Sequence, residues 1–296
     1  MPPSSSALRR APVDWLPRLV VAPSFIVSLL FIYGLMAWNG YLSVSASRIL
    51  PNYEFAGLQQ YLTLWESDRF RVAMTNMVVF GVLFIGGAMA MGVLLAILLD
   101  QKVRAEGLLR TIYLYPMAVS MIVTGTAWKW MLNPGLGLEH LMHQWGFEGF
   151  QFDWLVRQDT ALYCIVIAGV WQSAGFVMAL FLAGLRGIDD AIIKAAQVDG
   201  ASLPRIYWRI ILPSLRPVFF STLMVVAHLA IKSFDLVMAL TAGGPGYATD
   251  LPATFMYATA FTRGQIGVGA ASATVMLATV AAIVVPYLYS ELRGKK

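Results

Sequence analysis

Six stretches of about 20 or more mostly apolar residues constrain this chain more than any other feature. They are Leu19–Tyr41, Val72–Leu99, Leu108–Leu132, Ala161–Ala183, Leu215–Leu240 and Gly267–Leu288. As α-helices rising 1.5 Å per residue, each is long enough to cross the roughly 30 Å hydrocarbon core of a bilayer. The second is long enough to require tilt or a partly exposed end. None alternates with period two over about ten residues, which argues against a β-barrel. Charged residues are only 12% of the 296 positions and hydrophobic ones 58%. Soluble domains carry about 25% charged residues, so a soluble enzyme and a disordered chain are both excluded. The expected fold class is all-α: a polytopic membrane protein with six transmembrane helices.

The net charge of +5 would suggest nucleic acid in a soluble protein. Here its distribution gives another answer. With the N-terminus placed in the cytoplasm, 14 of the 21 Lys and Arg fall on that side, six fall outside and Lys232 lies within a span. The inside set includes Arg9, Arg10 and Arg18 before the first span, Lys102 and Arg104 after the second, and Arg293, Lys295 and Lys296 at the end. This asymmetry predicts both termini in the cytoplasm and accounts for the charge without nucleic acid. Three parts are expected: a cytoplasmic N-tail 1–18, a six-span unit 19–290 and a cytoplasmic tail 291–296. The first span is too long for a signal-peptide core and is read as a retained helix.

The loop between the fourth and fifth spans, 186–213, is longer than a turn needs. Asp189 or Asp190 can cap a helix N-terminus. Ile192, Ile193, Ala195 and Ala196 give that helix an apolar side, and Gly200 stands where a left-handed C-cap belongs. Ser202 can cap a second short helix with Pro204 in its first turn. Such a helix–turn–helix either rests on lipid headgroups or docks into a partner's groove.

The register Ala195, Ala196, Gly200, Ile210, Leu212 and Pro213, with Asp199 and Ala201, resembles the coupling motif of the permeases of ABC sugar importers. Lys194 stands where that motif carries Glu, a charge reversal. Trp171, Gly175, Leu182 and Leu185 fit the resemblance, as do Phe234-Asp235, Thr241-Ala-Gly-Gly-Pro245 and Thr249. These are similar to the maltose-F and glycerol-phosphate-A type of permease, and more distantly to permeases of glucose/mannose importers. The resemblance implies a bacterial inner-membrane subunit that couples to ATPases through residues 194–196, 199–201, 210, 212 and 213. It implies as partners a second, G-type permease, two ATP-binding subunits, a periplasmic sugar-binding protein and membrane lipid. It implies no cofactor on this chain, with ATP and Mg on the ATPase, and a monosaccharide such as glucose as cargo.

Polar groups within the spans are candidates for the pathway. Lys232 and Asp235, three apart in the fifth span, are expected to share one helix face, about 12 and 8 Å inside an end at Leu240. They either line a cavity or neutralise each other against neighbouring helices. Trp171 and Gln172 in the fourth span offer an aromatic face and an amide to a sugar, or serve helix packing. Phe234 and Tyr257 complete the candidate set, with Asn76 and Thr259 as weaker members.

Gly243–Gly246 reads as a turn or re-entrant corner. His140 and His143 have no evident third metal ligand, and Cys164 sits in an apolar run as a packed hydrophobe. No Gly-x-x-x-x-Gly-Lys-Ser/Thr run is present, so catalysis and ATP hydrolysis are not expected here. An ion-coupled sugar transporter using Lys232 and Asp235 is the alternative, and glycerol phosphate an alternative cargo.

Overall fold

The computed structural model describes residues 15–101 and 103–294. Arg9, Arg10, Lys102, Lys295 and Lys296, used above for orientation, lie outside the described residues, as does nearly all of the expected N-tail. Among the described residues the chain is helical, with no strand and one isolated bridge between Ser45 and Phe55.

The long helices are α1 (Arg18–Ser43), α3 (Asp68–Asp100), α7 (Ala161–Arg186) and α13 (Ile266–Gly294). Short α2 (Gln59–Glu66) precedes α3. Then α4 (Glu106–Ala118) and α5 (Met121–Met131) follow, with α6 (Leu138–Gln144) before α7. After α7 come α8 (Asp190–Val198), α9 (Leu203–Ser214), α10 (Arg216–Ile231), α11 (Asp235–Leu240) and α12 (Pro252–Tyr257). Four helices are long and apolar enough to cross a membrane, and up to six spans result if each bent pair counts as one.

The expected third and fifth spans are not continuous helices, which corrects the sequence reading. The third bends by 99° between α4 and α5. Pro116 sits in the last turn of α4, and Val119 and Ser120 are extended. The Ser120 hydroxyl then accepts from the Val123 amide and starts α5 as its N-cap. The fifth breaks at 232–234, where Phe234 leaves the helical region (φ −125°, ψ −59°). At its start, a 65° bend at Leu215, between Pro213 and Pro217 with their missing amides, sets it off from α9.

The core forms where α3 and α7 lie against each other. Gly87 accepts Val170 so closely that a Cβ there would stand 2.8 Å from a valine methyl. Gly92 receives Val177, and a Cβ on Gly169 would stand 3.0 Å from Phe84. Small residues let the backbones approach where lipid supplies no hydrophobic drive between helices. Gly175 brings α7 against α4, where a Cβ would overlap the Tyr113 carbonyl oxygen. Gly125 likewise seats α5 on α11, a Cβ there lying 2.7 Å from that of Ala239.

The first span differs from the rest. Its most apolar window has none of its residues buried. It touches the bundle near its C-terminal end, where Asn39 Nδ2 donates to Ala270 O (3.2 Å) and Thr274 Oγ1 (3.1 Å) on α13. Leu19 to Leu35 therefore projects an apolar surface that nothing among the described residues covers.

A side chain at Gly175 has no room, because the obstacle is backbone rather than a rotatable group. Gly175→Val is expected to abolish accumulation of membrane-inserted protein, whereas Gly34→Ala, with nothing within 4 Å, leaves it unchanged. Quantitative immunoblotting of membrane fractions checks both.

Candidate functional site

The loop between α7 and α10 is a helix–turn–helix whose first helix, α8, is capped at both ends. The Asp189 carboxylate accepts from the Ala191 amide at 2.8 Å, so Asp189 is the N-cap of α8. At the other end the Ala201 amide donates to Ala196 O and the Gly200 amide to Gln197 O, both at 3.0 Å. This pair of bonds is a Schellman closure with Gly200 at C′, where φ is +77°. Ala196 and Ala201 occupy the two positions that such a closure brings into contact.

Ser202 is the N-cap of α9 by position, with Pro204 in the first turn, but its side chain makes no capping bond. A π turn follows over Tyr207–Ile211, in which the Leu212 amide reaches back to Tyr207 O. Pro213 comes next and donates nothing, so the widened turn lies where the regular ladder would fail. Ile210 and Leu212 are half-buried against the bundle, and Ile206 and Ile211 are buried. Outward, α8 exposes Ile192 and Val198, the latter 87% exposed, together with Lys194, Ala195 and Asp199.

Between this loop and the bundle lies a cavity of about 460 Å³, lined by Asp100, Arg186, Lys194, Ile193, Leu203 and Tyr207. Tyr207 Oη donates to Asp100 Oδ2 (3.0 Å) and accepts from Gln101 Nε2 (2.7 Å), both at the C-terminal end of α3. Tyr207 lies in the loop, outside the membrane-spanning helices. Burial first, and the Asp100 carboxylate second, raise its pKa to about 12, so it is a neutral donor at physiological pH. Arg186 Nη2 donates to Glu106 Oε1 at 2.6 Å and pins the end of α7 to the start of α4.

The expected pathway residues separate into three places. Lys232 closes α10 and Asp235 opens α11, so the break between them removes the shared helix face expected from their spacing. Both are exposed, and among the described residues neither forms an ion pair. Phe234, between them, packs on Tyr257 with ring centroids 5.1 Å apart, and Tyr257 on Phe261 at 5.4 Å. Phe234, Tyr257 and Phe261 thus form one partly exposed aromatic cluster, with the exposed Lys232 and Asp235 close to Phe234 in the chain.

Trp171 lies elsewhere. It sits edge-on to Trp128 (5.9 Å) in an open apolar groove of about 990 Å³ between α3, α4 and α7. Gln172 is buried, and its amide donates to Val119 O at 2.8 Å, the carbonyl released by the bend between α4 and α5. The amide nitrogen that the sequence offered to a sugar hydroxyl is thus engaged by the backbone of a broken helix, while Gln172 Oε1 is buried with no partner among the described residues.

Two networks escaped the sequence reading. One is Tyr207–Asp100. The other holds the loop 241–250, where Asp250 is fully buried and ion-paired with Arg69 near the start of α3. Thr254 Oγ1 donates to Asp250 Oδ1 (3.0 Å), and the Arg69 guanidinium lies 4.4 Å over the Tyr247 ring. Asn76 Nδ2 donates to Ala248 O and Asp250 O (2.9 and 3.0 Å), so Asn76 clamps this loop. Gly243 (φ +87°) packs onto the Asp250 carboxylate where a Cβ would collide. The Gly243–Gly246 segment is a turn. Charged residues at 69 and 250 and glycines between 243 and 246 were visible signals, but 181 positions separate the paired charges.

Comparison with known proteins places this arrangement. A 37% identical relative, aligned over 98% of this chain and all of its own length, is named "probable ABC transporter permease protein" of Pyrococcus horikoshii. The xylose/arabinose import permease of Haloferax volcanii is 35% identical over 98% of this chain and 90% of its own. In fold, the chain resembles a chain from the crystal structure of a bacterial ABC transporter that imports alginate (TM-score 0.84, 22% identity, 96% of this chain and 97% of that one). The family model described as binding-protein-dependent transport system inner membrane component matches residues 88–294, and with these relatives it shows that the chain belongs to that family of multi-pass inner-membrane permeases.

Proposed function

We propose that the chain is one of two permease subunits of an ATP-driven carbohydrate importer, forming half of the translocation pathway, with a monosaccharide such as glucose as cargo. The observation that carries this reading is the α8–α9 element. Its first helix is capped by Asp189 and closed by the Schellman turn at Gly200, and Ile192 and Val198 are exposed. A lipid-resting helix would not need so firmly closed a turn, whereas a groove on a partner requires a fixed shape. The relative named for xylose and arabinose supports a small neutral sugar.

The partners follow from the surfaces. The bare apolar length of α1 suits a second, G-type permease. Two ATP-binding subunits receive α8 on the cytoplasmic side, the side of both termini by the charge asymmetry. A sugar-binding protein delivers cargo at the opposite, outer side, where loop 241–250 lies. ATP and Mg belong to the ATPases, and this chain's part is mechanical. Closure of the ATPase dimer displaces α8 and α9 and turns the bundle from inward-open to outward-open. The displacement drives transport only because partner and cargo bind the two states with different affinity.

Phe234 and Tyr257 supply aromatic faces for sugar C–H surfaces, and Lys232 and Asp235 beside them supply hydroxyl partners. Trp171 lines the separate apolar groove. The ion-coupled alternative is disfavoured, because the helix break removes the shared face on which its coupling pair depended.

Purification from native membranes in mild detergent is expected to bring down a second permease and a P-loop ATPase. Recovery of the chain alone, from membranes active in uptake, would refute the importer reading. Gly200→Glu forces a side chain into φ +77°, at a cost of about 1–2 kcal/mol, and is expected to abolish uptake while the chain still inserts. Uptake assays with membrane immunoblots decide this. Tyr257→Ala and Asp235→Ala are each expected to lower sugar uptake about tenfold, equivalent to some 1.4 kcal/mol, without loss of ATPase co-purification. Unchanged uptake in both would remove that surface from the pathway.

A further inference from the structure

α3 is bound by side chains near each end to a different moving or facing part of the protein. With 33 residues it spans about 50 Å. At its C-terminal end Asp100 and Gln101 hold Tyr207, which belongs to the π turn of α9. Near its N-terminal end Arg69 holds the buried Asp250, and Asn76 holds two carbonyls of the same loop. Between these anchors, Gly87 and Gly92 let α3 pack closely against Val170 and Val177 of α7.

We propose that α3 is the rod that carries movement of the α8–α9 loop to the 241–250 loop, and that Tyr207 is the positioning residue at the joint. The inference rests on the importer reading and deepens it by naming the connection. The joint is suited to this role by its chemistry. Tyr207 is the side chain of α9 that bonds to α3 in both directions, donating to Asp100 and accepting from Gln101. It stands in a widened turn beside a cavity, so α9 can shift against α8 without breaking the capped turn at Gly200. Arg186–Glu106 ties α7 to α4 on the same end but touches neither α8 nor α9. The Tyr207 contact is therefore the polar link from the loop into α3.

At the far anchor, Asn76 tethers loop 241–250 through two backbone carbonyls. Displacement of α3 along or about its axis must then move that loop or break both bonds. The loop is compact within itself, with the Thr241 and Thr249 hydroxyls 2.7 Å apart and Thr249 Oγ1 donating to Gly244 O at 2.7 Å. It moves as a unit.

The test is a reconstituted importer containing this chain, its partner permease, the ATPases and the sugar-loaded binding protein. Four variants are compared with wild type: Tyr207→Phe, Asp100→Ala, their double and Asp100→Asn. Basal ATPase activity, stimulation of ATPase by the binding protein, and uptake into vesicles are read. Tyr207→Phe and Asp100→Ala are expected to keep co-purification and basal ATPase while losing at least about fivefold in stimulation and uptake. The double should lose no more than either single, and Asp100→Asn, which still accepts from the phenol, should retain most stimulation.

Asn76→Val at the other end should give the same signature of basal activity kept and stimulation lost. Wild-type stimulation in Tyr207→Phe and Asp100→Ala would overturn the rod. A parallel loss of co-purification and basal activity would overturn it too, by showing a merely structural contact. Failure of the wild-type chain to assemble with any ATPase would instead overturn the importer reading, which separates the two failures.

Discussion

A backbone carbonyl or amide inside a bilayer has no water to turn to, so every interruption of a spanning helix must bring its own partners. This chain interrupts two of its spans, and at the bend in the third it meets that requirement with side chains. Ser120 receives an amide at the start of α5, and Gln172 reaches from α7 to the carbonyl of Val119 at the bend. A lost hydrogen bond to a buried group costs about 1–3 kcal/mol. The bend is thus built into the packing of α4, α5 and α7. Gly175, without a side chain, lets α7 come close enough to α4 for Gln172, three residues earlier, to reach.

Bending lets a membrane protein expose short helix ends and loops without leaving lipid-facing backbone. The pair α5 and α11 shows the consequence. Both are halves of broken spans, and each supplies the other with a close neighbour at Gly125 and Ala239. The break before α11 places Phe234 and Asp235 at a helix start, where Phe234 packs on Tyr257 rather than remaining on a continuous lipid-facing cylinder. The surface proposed for cargo exists because the fifth span fails to be a single helix.

How much of this could be read from residues depended on the range of the interaction. Hydropathy located α1, α3, α7 and α13 to within a few residues, because length and composition alone decide whether a helix can span. The loop 186–213 was legible in detail, since caps and Schellman closures are set by side chains a few positions apart, and Asp189 and Gly200 stand where their chemistry demands. The breaks were not legible, because hydropathy does not change at Val119 or Ser233 and the signals are single residues. Assigning Lys232 and Asp235 to one face assumed a helix that the 232–234 segment does not continue. For Gln172 the packing alternative fits its bond to Val119 O, but that partner is 53 positions away and exists only once the chain has bent. Arg69–Asp250 and Asp100–Tyr207, 181 and 107 positions apart, were beyond any local pattern.

The two anchors of α3 differ in strength, and the difference bears on motion. Removing one member of a buried ion pair costs about 3–5 kcal/mol, and Arg69–Asp250 is further enclosed by Thr254, Tyr247 and Gly243. It holds loop 241–250 firmly to the start of α3. The Tyr207 bonds lie beside a cavity at the loop, that to Asp100 part-buried and that from Gln101 exposed, and a typical net value is about 1 kcal/mol each. They can be remade within the energy that a partner's closure supplies. A rod that must transmit displacement without slipping at its output, yet allow its input joint to change angle, needs this asymmetry. In the sequence it appears only as an Arg and an Asp at one end and a Tyr, an Asp and a Gln at the other.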